Sequence, residues 1–262
     1  MKKTVDGLSL FIEGNSKNRT IVFIHGFPFN HSAWQAQIEM FSADYYCIAY
    51  DIRGLGDSVV GDGQFTMESF VDDLSTIIDK MSLDKPILCA HSMGGYISLR
   101  ALQRMQERFL AVILLDTVSG ADNNEGKLKR AAAIKKINSE GLTPFVKDFI
   151  TLCYGELYKR EHLEDFQKRI DLSASYNPLG VKGCLLAMLS RNDTTQYLSS
   201  ITIPSLLICG EEDALTPPSA MKEMSQEMKN SEFVLIKNSA HMSAIENPVD
   251  VNSAIKSFLE KV

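Results

Sequence analysis

Ile87-Leu88-Cys89-Ala90-His91-Ser92-Met93-Gly94-Gly95 is the stretch on which the fold of this chain turns. An apolar run of the buried kind ends on a serine and a glycine pair, and helical spacing (Tyr96, Leu99, Arg100, Leu102, Gln103) begins at once. Strand, sharp turn with a serine at its apex, and helix make a nucleophile elbow, whose motif is G-x-S-x-G. The glycines follow from geometry. The serine takes a strained backbone so that its oxygen stands clear of the sheet, and its neighbours must be small where strand and helix pack closely. Ala90 holds the first motif position here, and alanine is the least disruptive replacement at such a place. A strand-to-helix turn with a plain capping serine shares part of the pattern, so the partners of Ser92 decide between the two.

Outward from the elbow, apolar runs and helical patterns alternate. Leu8 to Glu13 reads as an edge strand, Thr20 to Ile24 as a buried strand ending in His25-Gly26-Phe27-Pro28-Phe29, and Trp34 to Phe41 as a helix. Tyr45 to Tyr50 is a strand that runs into the glycine-punctuated bend Asp51-Ile52-Arg53-Gly54-Leu55-Gly56-Asp57-Ser58, and a helix opens at Thr66. Leu110 to Leu115 is another buried strand, ending at Asp116. Between 125 and 191 no strand-like run occurs. Short amphipathic helices are expected there, broken near Gly141 to Pro144, at Gly155 and at Tyr176 to Gly180. Lys127, Lys129, Arg130, Lys135 and Lys136 read as a solvated helix face. Alternation resumes with Ser205 to Cys209, a helix over Ser219 to Met228, a strand over Glu232 to Ile236 and a helix over Val249 to Leu259. The class is therefore α/β, with a mostly parallel sheet covered on both faces by helices. Residues 1–119 and 194–262 form the core, and residues 120–193 an inserted helical cap.

In such sheets ligands bind at the C-terminal ends of the strands, and the chemistry-bearing loops all follow strands. A serine hydroxyl needs a base to take its proton, and the base needs a third group to orient it. Of the five histidines, His91 neighbours Ser92 on the elbow, where adjacent side chains diverge, His162 sits on a charged helix, and His25 and His31 have no supporting pattern as a base. His241, in Asn238-Ser239-Ala240-His241-Met242, follows the last strand directly and is the expected base. Asp213, in Gly210-Glu211-Glu212-Asp213-Ala214-Leu215-Thr216-Pro217, is the expected acid because turn residues follow it immediately; Glu211, Glu212 and Asp116 are its rivals. Ser92, Asp213, His241 is the chain order of this architecture. An oxyanion hole requires two backbone donors. The amides of Met93, at a helix N-terminus, and of Phe27 are the candidates.

Taken jointly, His25-Gly26-Phe27-Pro28, Asp51 to Ser58, His91 to Gly95, Gly210 to Asp213 with Pro217, and Ser239-Ala240-His241 resemble the α/β-hydrolase family of capped esterases, lactonases and small-molecule hydrolases. The resemblance covers the chain outside residues 120–193. It implies a serine hydrolase that cleaves a small, largely apolar carboxylic ester or lactone through an acyl-enzyme. Carbon–carbon bond hydrolases, lyases and small-ligand receptors share the motifs and remain the alternatives. Serine as nucleophile speaks against the dehalogenase and epoxide hydrolase branches, which use aspartate. The resemblance places Asp51 and Arg53 as shapers of the loop beside the site. Phe145, Phe149 and Met188, with Leu152, Tyr154 and Phe166, are candidates for an apolar pocket roof.

Composition sets limits. With 45% apolar residues and 23% charged ones the chain has an ordinary globular balance, and a net charge of −6 argues against nucleic acid as partner. No apolar run reaches membrane-spanning length, and Asp6 and Gly7 interrupt the place where a signal peptide needs its apolar stretch, so a cytoplasmic protein is expected. The five cysteines show no metal-binding spacing and read as reduced core thiols. No phosphate loop or dinucleotide fingerprint is present, and neither a cofactor nor a metal is expected; the partner is a small-molecule substrate, and the sequence leaves the oligomeric state open.

Overall fold

The computed structural model describes residues Met1–Val262. Eight strands form one sheet: β1 (Lys2–Val5), β2 (Leu8–Glu13), β3 (Thr20–Ile24), β4 (Tyr46–Tyr50), β5 (Ile87–His91), β6 (Val112–Leu115), β7 (Ser205–Gly210) and β8 (Ser231–Ile236). Their spatial order is β1-β2-β4-β3-β5-β6-β7-β8, antiparallel at β1–β2 and β2–β4 and parallel from β4 to β8. β2 is an interior strand, contrary to expectation. The true edge, β1, is Lys-Lys-Thr-Val, with three exposed residues and no apolar alternation to announce it.

Period-two geometry divides the core. Ile21 and Phe23 of β3, Cys89 of β5 and Ile113 of β6 face helices α1 (Gln35–Phe41) and α11 (Pro248–Leu259), meeting Ile38, Phe41, Val251 and Phe258. Val22 and Ile24, Leu88 and Ala90, and Leu114 face the other way. There they meet α2 (Met67–Lys80), α3 (Met93–Met105) and α9 (Pro218–Glu227). Both faces are apolar because both are covered, which is why these strands read as continuous hydrophobic runs. α2 begins where expected: the Thr66 hydroxyl accepts from the Ser69 amide and the Ser69 hydroxyl from the Thr66 amide, a capping box.

Between β6 and β7 come α4 (Asn124–Glu140), α5 (Leu142–Cys153), α6 (Glu156–Glu161), α7 (Leu163–Ala174) and α8 (Pro178–Leu189). The chain leaves and re-enters the sheet region at one neck. There the Thr194 amide and hydroxyl both donate to the Ser119 carbonyl at 3.0 Å, and Arg191 donates to the Gly120 carbonyl and to Asp122 at 2.8 Å. The Arg191 guanidinium lies 4.2 Å from the centre of the Tyr96 ring. Arg130, expected on a solvated face, is half-buried; it pairs with Asp122 and donates to the Met188 sulfur. The last but one of the helices, α10 (Ser243–Glu246), is a single turn just after His241. All five cysteines are buried and free, and no helix is long and apolar enough to cross a membrane.

Candidate active site

The elbow forms at the C-terminal end of β5. Ser92 has φ +51° and ψ −113°, a left-handed backbone that a non-glycine residue holds only where its surroundings impose it. Its amide donates to the Leu115 carbonyl at 3.0 Å and its carbonyl accepts the Thr117 hydroxyl at 2.8 Å, so β6 clamps the turn from one side. Gly94 explains itself: a Cβ there would lie 2.3 Å from the Ile24 carbonyl oxygen. At Gly26 a Cβ would reach within 2.4 Å of the His91 ring and 3.0 Å of the Ser92 Cβ.

His241 closes on this serine across the sheet end. Its Nε2 lies 2.9 Å from the Ser92 hydroxyl, and its Nδ1 lies 2.9 Å from Asp213 Oδ2. All three side chains are buried, with Ser92 the least so at 8% exposure. Asp213 is fixed by the turn that follows it: Oδ1 accepts the Leu215 and Thr216 amides, and Oδ2 accepts the Thr216 hydroxyl at 2.5 Å. The rivals Glu211 and Glu212 are exposed.

Electrostatics set distinct states for these groups. Burial works against charge on Asp213, but His241 and the Thr216 bonds outweigh it and hold its carboxyl below the usual range. Burial likewise opposes charge on His241, yet the carboxylates of Asp213, Asp116 and Glu246 raise its pKa above the ordinary value. Asp116 is fully buried, and burial together with the neighbouring Asp213 charge drives its pKa well up. The two carboxyls are thus pushed in opposite directions, Asp213 down and Asp116 up.

Asp116 accepts the Gly210 amide at 2.8 Å and the Ser243 hydroxyl at 2.5 Å, tying the ends of β6 and β7 to the His241 loop. Asp116, Cys209 and Asp213 stand close enough to suggest metal ligands. The Cys209 thiol, however, donates to the Gly210 and Thr216 carbonyls at 3.5 Å, and burial keeps it protonated. The carboxylates are likewise occupied by protein donors, so this donor set is already satisfied.

The other histidines are structural. His91 turns away from Ser92, and its Nε2 donates to the His241 carbonyl at 2.6 Å; burial lowers its pKa to about 3, so it is neutral. His25, lowered to about 4 by burial, accepts the Ile52 amide at Nε2 and donates from Nδ1 to the Gly26 carbonyl. His31 pairs with Asp51, which also accepts the His31 and Asp57 amides and so shapes the loop after β4. Arg53 pairs with Asp73.

The Phe27 and Met93 amides engage in no loop or side-chain hydrogen bond, and Met93 is the first residue of α3, where an amide has no partner within the helix. Above Phe27 lie two rings of α5: Phe149 at 5.4 Å and Phe145 at 6.2 Å between centroids. Met188 is buried with its sulfur on Arg130, and Tyr154 and Phe166 pack on each other and, for Tyr154, on Phe29. Leu152 does not join this roof: it is 65% exposed on the outer face of α5.

A family model described as the alpha/beta hydrolase fold matches residues 19–248. The chain belongs to the α/β-hydrolase family. Among solved structures, a thermophilic esterase from Thermogutta terrifontis, with malate bound, is 30% identical and superposes with a TM-score of 0.92 over 100% of this chain and 98% of that one. The 3-oxoadipate enol-lactonase 1 of Acinetobacter baylyi is 28% identical over 257 residues, 97% of this chain and 94% of that protein. The enol-lactonase of Burkholderia xenovorans LB400 is 22% identical, with a TM-score of 0.91 over 99% and 100% of the two chains, and shares the fold.

Thr216 and Asp116 carry contacts that sequence reasoning did not assign. Thr216 had a local signal, a hydroxyl three residues beyond the acid in a turn. Asp116 stood out only as a rival to Asp213 at a strand end, and its bond to Ser243 had no signal because that partner is distant in the chain.

Proposed function

We propose that this chain is a serine hydrolase of small, largely apolar carboxylic esters or lactones, working through an acyl-enzyme on Ser92. The observation that carries the proposal is the unbroken chain of bonds from Ser92 through His241 to Asp213, each link at 2.9 Å. The names of the esterase and enol-lactonase relatives support the substrate class.

In this mechanism Ser92 Oγ bonds to the carbonyl carbon while its proton passes to His241 Nε2. Asp213 holds the imidazole with Nδ1–H toward itself and stabilises the imidazolium. The negative charge that develops on the carbonyl oxygen falls to the open amides of Phe27 and Met93, a contribution of about 3 kcal/mol per donor. The C–O bond then breaks as Nε2 returns the proton to the leaving oxygen. In a lactone that oxygen stays tethered to the acyl group. Water attacks the ester on Ser92 with His241 again as base, releasing the acid. Residues 120–193 act as a cap, with Phe145 and Phe149 over Phe27 as the apolar ceiling that favours small substrates.

The test is a panel of p-nitrophenyl esters of rising chain length together with simple lactones, run beside labelling by a fluorophosphonate probe. Turnover of short esters and covalent labelling of Ser92 are expected. A Ser92 that the probe leaves untouched would count against any acyl-enzyme.

A further inference from the structure

We infer that Glu246 is a positioning residue of this site: its buried carboxylate grips the backbone on both sides of His241 and fastens that loop to the helical insertion. The inference rests on the hydrolase reading above and extends it to a residue that touches neither the substrate nor the three reacting side chains.

Oε1 of Glu246 accepts the Ala240 amide at 3.0 Å and the Met242 amide at 3.1 Å, the two peptide groups that flank His241. Oε2 accepts the Gly155 amide at 2.8 Å, in the turn between α5 and α6. One carboxylate thus gathers three donors, two from the loop that carries the imidazole and one from the insertion. The other end of α10 is held as firmly: the Ser243 hydroxyl and amide both donate to Asp116 at the end of β6. The His241 backbone is therefore pinned from both sides. Its own carbonyl is taken by His91 as well.

An ionised carboxylate has the acceptor capacity for three N–H groups. A protonated one, or an amide, turns one oxygen into a donor that faces an N–H, so at least one of the three bonds is lost. Burial pushes the Glu246 pKa up to about 7, against the pull of the Gly155, Met242 and Ala240 amides and with help from the Glu212 charge. The titratable groups that face it are Glu212 from the β7–α9 loop, His241 from its own loop, and Cys153 and Tyr158 from the insertion. His241 alone among them can become a cation, and no lysine or arginine faces the carboxylate. The grip is accordingly full in mildly alkaline solution and released as the pH drops through neutrality.

The experiment compares the full chain with Glu246→Gln and Glu246→Ala on a short naphthyl ester followed by pH-stat from about pH 6 to 9, with thermal unfolding alongside. Loosening the imidazole by a fraction of an ångström should cost kcat about tenfold in the Gln variant at pH 8, with KM within about twofold. The gap should narrow toward pH 6, where the wild-type carboxyl is itself protonated. The Ala variant should lose more at pH 8 and show the same convergence. A wild-type-to-Gln ratio in kcat that stays flat across the range, at one or at any other value, overturns the inference, and so does a narrowing wholly accounted for by the lower His241 pKa that loss of the Glu246 charge causes, read from each variant's own pH profile. Ser92→Ala serves as the control: if it retains turnover, the hydrolase reading fails, whereas a dead Ser92→Ala with a flat Glu246→Gln ratio removes the positioning role alone.

Discussion

Val22, Ile24, Leu88, Ala90, Val112 and Leu114 of the sheet are all fully buried, whereas the seventeen-residue helix α4 of the insertion buries Ile137 alone. The two regions are joined at one neck but built to different tolerances. On the sheet side each group has a single place to be: Ser92 is clamped by Leu115 and Thr117, and a methyl group would meet the Ile24 carbonyl at Gly94 and the Thr117 side chain at Gly95. On the insertion side Leu128, Leu152 and Leu163 lie 64–70% exposed, and Gly141 has open space around it. On the proposed function the contrast amounts to a division of labour: the reacting atoms stand on close-packed backbone, and the rest of the substrate meets helices whose outer faces have room to vary, although Gly180 and Gly183 of α8 are packed tightly on Gly54 and Phe65.

The sharpest way to test the sheet side is Ser92→Ala, for which ester turnover should fall by about 10⁴-fold or more with the unfolding temperature unchanged. Retained activity would break the comparison at its strongest point. Next in size is Gly94→Ala: the added carbon meets the Ile24 carbonyl, and urea denaturation should register a loss of about 3 kcal/mol. pH comes third. His241 must be neutral to accept the serine proton and its pKa is raised, so kcat/KM should fall as the pH drops through that value, by about tenfold per pH unit well below it. A rate unchanged between pH 5 and 8 would exclude His241 as the base.

The insertion should respond more gently. In Phe149→Ala the ring over Phe27 is lost, and KM for longer acyl esters should rise about two- to tenfold, the equivalent of about 0.5–1.5 kcal/mol, with kcat little changed. Leu152→Ser should leave both stability, within about 0.5 kcal/mol, and kinetics unaltered. If Phe149→Ala instead matched Ser92→Ala in severity, the insertion would share in the chemistry and the division of labour would be wrong.

Much of the core was legible in the sequence, for a physical reason. Parallel strands buried on both faces must be apolar throughout, and the turns at their ends must be small and polar, so Thr20–Ile24, Ile87–His91 and Ser205–Gly210 stand out from their surroundings. Ser92, Asp213 and His241 stood out because each follows such a strand directly, and the structure brings the three within hydrogen-bonding distance. β1 was invisible because an edge strand open to water keeps its lysines. Leu152 was misplaced because it lies at the margin of the apolar stripe of α5, beside Phe145, where helical spacing alone does not tell the covered edge from the open one. Asp116 was legible only as a rival acid at a strand end, and Glu246 not at all. Their partners are set by how distant loops converge, and nothing local to either residue announces them.

The neck at Ser119 and Thr194 has an evolutionary consequence. Because the outgoing and returning segments are hydrogen-bonded to each other, the frame sees the whole helical segment as one long loop closed at its base. A stretch of different length or composition could be spliced between those two residues while the sheet below kept its register. A lineage could thereby trade one substrate preference for another by exchanging a single contiguous block of chain, provided the new block still offers a donor where the Gly155 amide meets Glu246.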